Sequence, residues 1–146
     1  MKTLVWLDDT RDCFEDNGKW LVFSPIPLDE LTEVIWVKSY NEFVEYIMDW
    51  GVPDAVAFDH DLHFDHYGIK QEDWKEYYIT EKDSSKYTGY NAAYFLSKYC
   101  EIHKCPLPLW NCQSANIVGK ENINSVLNNF KKYQDESNNR ILPSRG

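Results

Sequence analysis

The chain is 146 residues long, with 43% hydrophobic and 16% aromatic residues and a formal net charge of −9. This length and composition are typical of a single folded domain and exclude an intrinsically disordered chain. The negative charge argues against non-specific binding to duplex nucleic acid, which needs a basic surface, but permits a small anionic ligand held by local cations and N–H groups.

No apolar run in the sequence approaches the ~20 residues that a membrane-spanning helix needs, and no signal-peptide pattern opens it. The four cysteines show no CxxC spacing, which argues against a zinc ribbon. We therefore expect a cytoplasmic protein with reduced thiols and no membrane partner.

Four short apolar segments predict strands, and three longer segments with apolar residues at three- and four-residue spacing predict helices. In chain order, the predicted elements are a strand at 2–9, a strand at 33–40, a helix at 41–51, a strand at 53–62, a helix at 88–104, a strand at 107–116 and a helix at 120–134. Asn41 is the predicted N-cap of the first helix, and Gly51 its predicted end. Residues 137–146 are predicted to form a frayed tail.

The alternation of strands and helices predicts an α/β fold of three layers, with a mostly parallel sheet of four to five strands between two layers of helices. We expect residues 1–136 to form a single domain. The segment 62–88 is long for a connection and rich in tyrosine, tryptophan and charge, so we interpret it as a flap over the functional site. Trp74 and Tyr78 are its candidates for stacking on a nucleobase, with core packing as the alternative.

Polar residues follow three of the predicted strands. Asp8-Asp9-Thr10-Arg11 follows the first strand, Asp59-His60-Asp61 follows the third, and Gln113-Ser114-Ala115-Asn116 follows the fourth. Because ligands of parallel α/β sheets bind at the carboxyl ends of the strands, we expect these three clusters to meet at one edge of the sheet.

Four stretches of the sequence, WLDDTR, AFDHDL, TGYNAAYFL and QSANIVGKENI, occur in this order between residues 3 and 131. They resemble the motifs LDD-x-R, FDHDL, TG-x-[ND]-A-A and HSANP-x-G-x-x-N-I of the cyclic-phosphate processing receiver domain family. Two positions differ from these motifs, since Gln113 replaces a histidine and Ile117 replaces a proline.

The resemblance implies a flavodoxin-like, receiver-like fold and a role in processing cyclic phosphates. It implies that Asp8 and Asp9 correspond to the acidic pair of a receiver, Asp59 to its phospho-accepting aspartate and Ser114 to the Ser or Thr that ends its fourth strand. If the replaced histidine serves as a general acid, its function is lost here. If it only hydrogen-bonds the ligand, Gln113 can keep part of that role.

Asp8, Asp9 and Asp59 would repel one another at a shared edge, and such carboxylates either raise a pKa or bind a cation. Mg²⁺ or Mn²⁺ is the cation that suits carboxylate oxygens and leaves positions for a substrate phosphate. The alternative is that Asp9 only caps the following segment. A zinc site at His63 and His66 is a further alternative.

His60 beside Asp61 is the candidate general acid, because an imidazole near carboxylates can donate a proton to a leaving alkoxide. Packing of His60 on the edge of the sheet is the alternative. Arg11 is the candidate for binding the phosphate and stabilising its transition state, with a salt bridge to Asp8 or Asp9 as the alternative.

Five further residues are predicted to bind the ligand. Ser114 and Asn116 can hydrogen-bond phosphate oxygens or a base, and Gln113 lies beside them. Thr88 precedes a helix whose amino end attracts a phosphate, although it can simply be the N-cap. Lys120, with Gly119, is predicted to open the last helix beside the ligand, with a role as a surface charge as the alternative.

Three functions are compatible with this pattern. The first is a phosphoesterase that acts on a cyclic phosphate, either a cyclic nucleotide or a cyclic phosphate end; its catalytic residues would be Asp59, His60, Asp61 and Arg11. The second is a protein that binds and sequesters a cyclic nucleotide without turnover, which the Gln113 replacement favours. The third is a stand-alone receiver domain phosphorylated on Asp59. In the first two the partner is a small anionic, nucleotide-like ligand.

Overall fold

The computed structural model describes residues 2–62, 88–114 and 116–141 of the chain. The strands are β1 (Lys2–Leu7), β2 (Thr32–Val37), β3 (Ala55–Phe58) and β4 (Leu109–Cys112), and the α-helices are α1 (Tyr40–Trp50), α2 (Gly89–His103) and α3 (Ile117–Ile141). Two short 3₁₀ helices, Glu15–Asn17 and Lys19–Phe23, lie between β1 and β2. None of the helices in these ranges is long and apolar enough to span a membrane.

The sheet contains four strands in the order β2-β1-β3-β4, and every neighbouring pair is parallel. Trp6 pairs with Trp36 and Leu7 pairs with Phe58, which in turn pairs with Cys112. The carboxyl ends of the strands therefore lie along one edge of the sheet. The predicted α/β fold with a parallel sheet is confirmed.

One face of the sheet packs against all three α-helices. Its core is built from alternate strand residues and from apolar helix residues such as Phe43, Phe95 and Leu127. The apolar residues at three- and four-residue spacing in the sequence form these helix faces, because that spacing places side chains on one side of a helix.

The opposite face packs against the connection between β1 and β2. Leu4, Trp6, Ala55 and Ala57 contact side chains from this connection, among them Cys13 and Ile26. The third layer of the described fold is thus made of 3₁₀ and extended chain. Asp16, Asn17 and Gly18 all have positive φ, which is incompatible with a continuous right-handed α-helix through these residues.

Two helix starts differ from the sequence prediction. The N-cap of α1 is Ser39, whose Oγ accepts a hydrogen bond from Glu42 N (3.1 Å), and Asn41 is buried in the first turn. The prediction of Asn41 as the cap was wrong because the extended backbone that a cap requires falls at Ser39.

The last helix begins at Ile117, not at Lys120, because Asn116 Oδ1 accepts a hydrogen bond from Gly119 N (2.9 Å) and caps it. The same helix continues to Ile141, five residues into the segment predicted to be a tail. Residues 63–87, which include almost all of the predicted flap with Trp74 and Tyr78, lie outside the described residues.

Candidate functional site

The three polar clusters meet at the carboxyl edge of the sheet. The backbone N–H groups of Asp8, Asp59 and Gln113 continue the strand pairing, and they donate to Val37 O (3.0 Å), Leu7 O (2.9 Å) and Phe58 O (2.9 Å). Three polar residues from distant parts of the sequence are thereby placed side by side at the carboxyl ends of β1, β3 and β4. This confirms the expectation that the strand ends come together.

Asp8 is completely buried, and its carboxylate is oriented by its own loop. Asp8 Oδ1 accepts hydrogen bonds from Thr10 N (3.0 Å) and Arg11 N (2.9 Å), and Oδ2 accepts one from Arg11 Nη1 (3.1 Å). The short sequence from Asp8 to Arg11 therefore folds around one carboxylate, as aspartate commonly does at turns.

Two tryptophan side chains hold the backbone of this loop by hydrogen bonds. Trp36 Nε1 donates to Asp8 O (2.7 Å), and Trp6 Nε1 donates to Arg11 O (2.9 Å). Because Trp6 and Trp36 are register partners on neighbouring strands, both indole N–H groups reach the same loop. Sequence reasoning assigned these tryptophans to strands alone and missed their role in positioning Asp8 and Arg11.

Asp59 lies beside the same guanidinium. Its Oδ1 is 3.8 Å from Arg11 Nη1, and Asp59 is only 5% exposed. Burial, together with the charge of Asp8, raises the pKa of Asp59 to about 7, although the Arg11 guanidinium opposes this shift. The predicted salt bridge between Arg11 and Asp8 is thus present, and it leaves the carboxylates incompletely neutralised.

The three predicted metal ligands form one cluster. Asp8, Asp9 and Asp59 each offer an oxygen, and these oxygens lie within 4.8 Å of one another. An all-carboxylate set of this size fits a hard divalent cation such as Mg²⁺ or Mn²⁺. The cluster could hold a metal ion. His63 and His66, the alternative zinc ligands, lie outside the described residues.

His60 and Asp61 form a hydrogen-bonded pair with Asn116. His60 Nδ1 lies 2.8 Å from Asp61 Oδ1, and Asn116 Nδ2 donates to the same oxygen (3.1 Å). The hydrogen bond from His60, helped by Asn116, lowers the pKa of Asp61. Asp61 is therefore a carboxylate that only accepts, so His60 Nδ1 carries the proton and Nε2 is the ring nitrogen left for other chemistry.

A cavity of about 250 Å³ opens at this edge. Its lining consists of Asp9, Thr10, Arg11, Asp59, Asp61, Leu62 and Ser114. Ser114 Oγ also accepts a hydrogen bond from Asn116 N (3.0 Å). Among the described residues, the cavity is thus lined by Asp59 and Asp61, the two predicted catalytic acids that follow β3, and also by Arg11 and Ser114. His60 contacts this lining through its hydrogen bond to Asp61.

The sequence profile of a family described as the cyclic-phosphate processing receiver domain matches residues 3–129. The chain belongs to this family. No curated protein and no solved structure matches the chain. Membership in the cyclic-phosphate processing receiver domain family supports a role in processing cyclic phosphates.

Two glycines allow the family motifs to contact one another. A Cβ at Gly89 would overlap the Asp59 carbonyl, and Gly89 N donates to His60 O (2.8 Å). A Cβ at Gly119 would overlap the His60 ring. The amino end of α2 therefore rests on the backbone of residues 59–60, and the first turn of α3 rests on the His60 imidazole. The sequence carries no signal for either contact, because contacts between distant segments are not encoded in local patterns.

The family position at which Gln113 replaces a histidine is buried. Gln113 is only 4% exposed, and its Nε2 donates to Leu7 O (3.0 Å) and Ala57 O (3.5 Å). Its Oε1 has no hydrogen-bond partner among the described residues. The amide thus links the backbones of β1 and β3 through its Nε2, and binding of the ligand by Gln113 stays a prediction.

Two other predicted ligand-binding residues have different surroundings. Thr88 is the N-cap of α2, where its Oγ1 accepts from Tyr90 N (3.2 Å) and its backbone N–H donates to Asn91 Oδ1 (2.9 Å). Lys120 is exposed in the first turn of α3 and does not line the described cavity. Both alternatives considered for these residues, a helix cap and a surface charge, agree with these positions.

Replacing Gly119 by alanine should displace the His60 ring, because the added methyl group would occupy its place. We expect a stability loss of about 1–3 kcal/mol from overpacking and altered His60 imidazole resonances in NMR spectra. Ser125→Ala, at an exposed position of α3, is the matched control. Unchanged His60 resonances in a folded Gly119→Ala protein would contradict this contact.

Proposed function

We propose that the protein is a phosphoesterase that opens a cyclic phosphodiester, on a cyclic nucleotide or a cyclic phosphate end, by hydrolysis. The observation that carries the proposal is the arrangement of Arg11, Asp59, Asp61 and Ser114 around one cavity, with His60 held by Asp61. Family membership supports the cyclic-phosphate substrate class.

The phosphate would be bound by cations and N–H or O–H donors at the carboxyl edge. Arg11 lines the cavity with one quarter of its side chain exposed, and a guanidinium can donate to two phosphate oxygens at once. Ser114 adds a hydroxyl, and the amino ends of α2 and α3 adjoin this edge through Gly89 and Asn116. Helix amino ends favour bound anions.

A divalent cation held by Asp8, Asp9 and Asp59 would neutralise these carboxylates and stabilise negative charge on the phosphate oxygens. The same carboxylates would otherwise repel an anionic substrate, since one guanidinium offsets only one of them. The buried Asp8 Oδ1 is held by backbone N–H groups, so a cation would use Oδ2, the oxygen that Arg11 contacts.

Hydrolysis consumes one water molecule. Its oxygen forms a bond to phosphorus while one ester P–O bond breaks, and the leaving oxygen receives the proton of His60 Nε2. Asp61 stabilises the protonated imidazole through Nδ1, as a carboxylate does for a catalytic histidine. The proton that the water loses returns to His60 through solvent, so that a monoester and a free hydroxyl are the products.

A binding protein without turnover is the second candidate function. It is favoured by Gln113, because an amide cannot transfer the proton that the family's histidine could supply. In that case the same cavity would hold the intact cyclic phosphate. Phosphorylation of Asp59 as in a receiver is the remaining hypothesis, with a small phosphodonor as the substrate.

A panel incubation distinguishes these functions. The purified protein is incubated with 2′,3′- and 3′,5′-cyclic nucleotides and with acetyl phosphate, each with Mg²⁺, Mn²⁺ or EDTA. We expect chromatography to show a nucleoside monophosphate from at least one cyclic nucleotide. Saturable binding with no monophosphate would support sequestration instead, and a phosphorylated protein formed only with acetyl phosphate would support the receiver hypothesis.

A further inference from the structure

We propose that Arg11 and a divalent cation are alternative counter-ions of the same carboxylate oxygens, so that binding of the cation detaches the guanidinium from Asp8 and releases it toward the phosphate. The inference rests on the metal ligands of the proposed function but not on turnover. It makes Arg11 a residue that sets the affinity of the site for a metal.

The Arg11 guanidinium lies against two of the three proposed metal ligands. Arg11 Nη1 lies 3.1 Å from Asp8 Oδ2 and 3.8 Å from Asp59 Oδ1. Both carboxylates belong to the cluster whose oxygens lie within 4.8 Å of one another. Asp8 Oδ1 already accepts two backbone hydrogen bonds. The oxygen that a cation would use on Asp8 is therefore the oxygen that Arg11 occupies.

A bound cation and the Arg11 guanidinium would repel each other. A divalent cation and a guanidinium that share a carboxylate oxygen would lie a few ångströms apart as like charges, in a site where Asp8 and Asp59 are buried. Such like charges repel strongly where water is largely excluded. A divalent cation carries two positive charges and the Arg11 guanidinium carries one. Replacing the guanidinium by the cation therefore leaves less net negative charge on the three carboxylates.

The surroundings of Arg11 allow its side chain to move alone. The loop backbone is fixed by the hydrogen bond from Trp6 Nε1 to Arg11 O (2.9 Å), and the side chain is one quarter exposed. Trp20 supports the guanidinium, with Arg11 Cζ 5.3 Å from the ring centroid, and Lys19 Nζ lies 5.1 Å from the same centroid. A cation over an aromatic face is attracted to it, so Trp20 is a second partner of the guanidinium besides Asp8 and Asp59.

The test is a Mn²⁺ titration by calorimetry, without any substrate, of the wild-type protein and three variants. Arg11→Gln should bind Mn²⁺ at least about tenfold more tightly than wild type, because a like charge is removed from the cation's position. Arg11→Lys keeps a positive charge and should bind more weakly than Arg11→Gln. Lys19→Ala is the matched control, since it removes the other cation over Trp20, and it should bind as wild type does.

Thermal unfolding gives a second, independent readout. In EDTA, Arg11→Gln should melt at a lower temperature than wild type, because the buried Asp8 loses its ion-pair partner. Saturating Mn²⁺ should raise the melting temperature of Arg11→Gln more than that of wild type. Equal or weaker Mn²⁺ binding by Arg11→Gln would overturn the proposal, and so would no Mn²⁺ binding by any of the proteins. Neither result would depend on whether a cyclic phosphate is hydrolysed.

Discussion

Replacing His60 by alanine should lower the turnover of a cyclic phosphate about 10²–10⁴-fold, the usual contribution of a general acid. His60 Nδ1 is committed to Asp61 at 2.8 Å, so Nε2 is the nitrogen that can protonate the leaving oxygen. The affinity for the cyclic phosphate should change far less, because the proton moves only in the transition state. Steady-state kinetics and equilibrium binding measure the two effects separately.

The pH dependence of kcat tests the same assignment. A general acid must be protonated to act, so the kcat profile of the parent protein should fall on the alkaline side, and this fall should be absent from the residual activity of His60→Ala. His103→Ala, at the carboxyl end of α2, is the matched control and should leave kcat unchanged. A His60→Ala protein that loses affinity but keeps its kcat would show that His60 binds the ligand and does not transfer a proton.

Replacing Asp59 by asparagine should abolish turnover while making the protein more stable at pH 8. Burial and the neighbouring Asp8 raise the pKa of Asp59 from 3.8 to about 7. Between these values the folded protein keeps a proton that the unfolded chain releases, so the stability of the wild type falls as pH rises from about 4 to about 7. Above that range the full penalty of the buried charge is present, and neutral asparagine avoids it.

Urea unfolding in EDTA at several pH values measures this difference. At pH 8, Asp59→Asn should have a free energy of unfolding higher by on the order of 2 kcal/mol, and the advantage should shrink toward pH 4. Asp16→Asn, at an exposed position outside the cavity, controls for the loss of a carboxylate. If the wild type were more stable than Asp59→Asn at pH 8, the charge of Arg11 would fully offset the cost of burying the charged Asp59 carboxylate.

The sheet and its polar edge could be predicted because they depend on local patterns. The short apolar runs give the strands, their alternation with helices gives the parallel sheet, and parallel strands bring their carboxyl ends together. Asp8, Asp9 and Asp59 could therefore be grouped from the sequence alone, and the structure brings them together.

Contacts that depend on register could not be predicted. The indole N–H groups of Trp6 and Trp36 reach the Asp8 loop only because these residues pair across β1 and β2. The sequence predicts that Gln113 binds the ligand, and it could not reveal that Gln113 Nε2 also donates to carbonyls of β1 and β3. The start of α3 was placed too late because Asn116 caps it with an oxygen whose role the helical spacing does not reveal.

The layer between β1 and β2 could not be predicted from local patterns either. Residues 12–31 lack a helical repeat, and the positive φ angles of Asp16, Asn17 and Gly18 shape a 3₁₀ connection. This connection still buries Cys13 and Ile26 against the sheet, so the second face is covered without an α-helix.

We claim that this cavity hydrolyses a cyclic phosphate, and ³¹P NMR of a cyclic nucleotide mixed with an excess of the protein and Mg²⁺ can observe that reaction. At protein concentrations well above the dissociation constant, nearly every ligand molecule is bound, so binding alone shifts the diester resonance whereas hydrolysis replaces it. We predict that the diester resonance is replaced by a monoester resonance, and that Asp59→Asn leaves the diester intact. A diester resonance that shifts on binding but persists in the wild-type sample would contradict the claim and identify the protein as one that only binds.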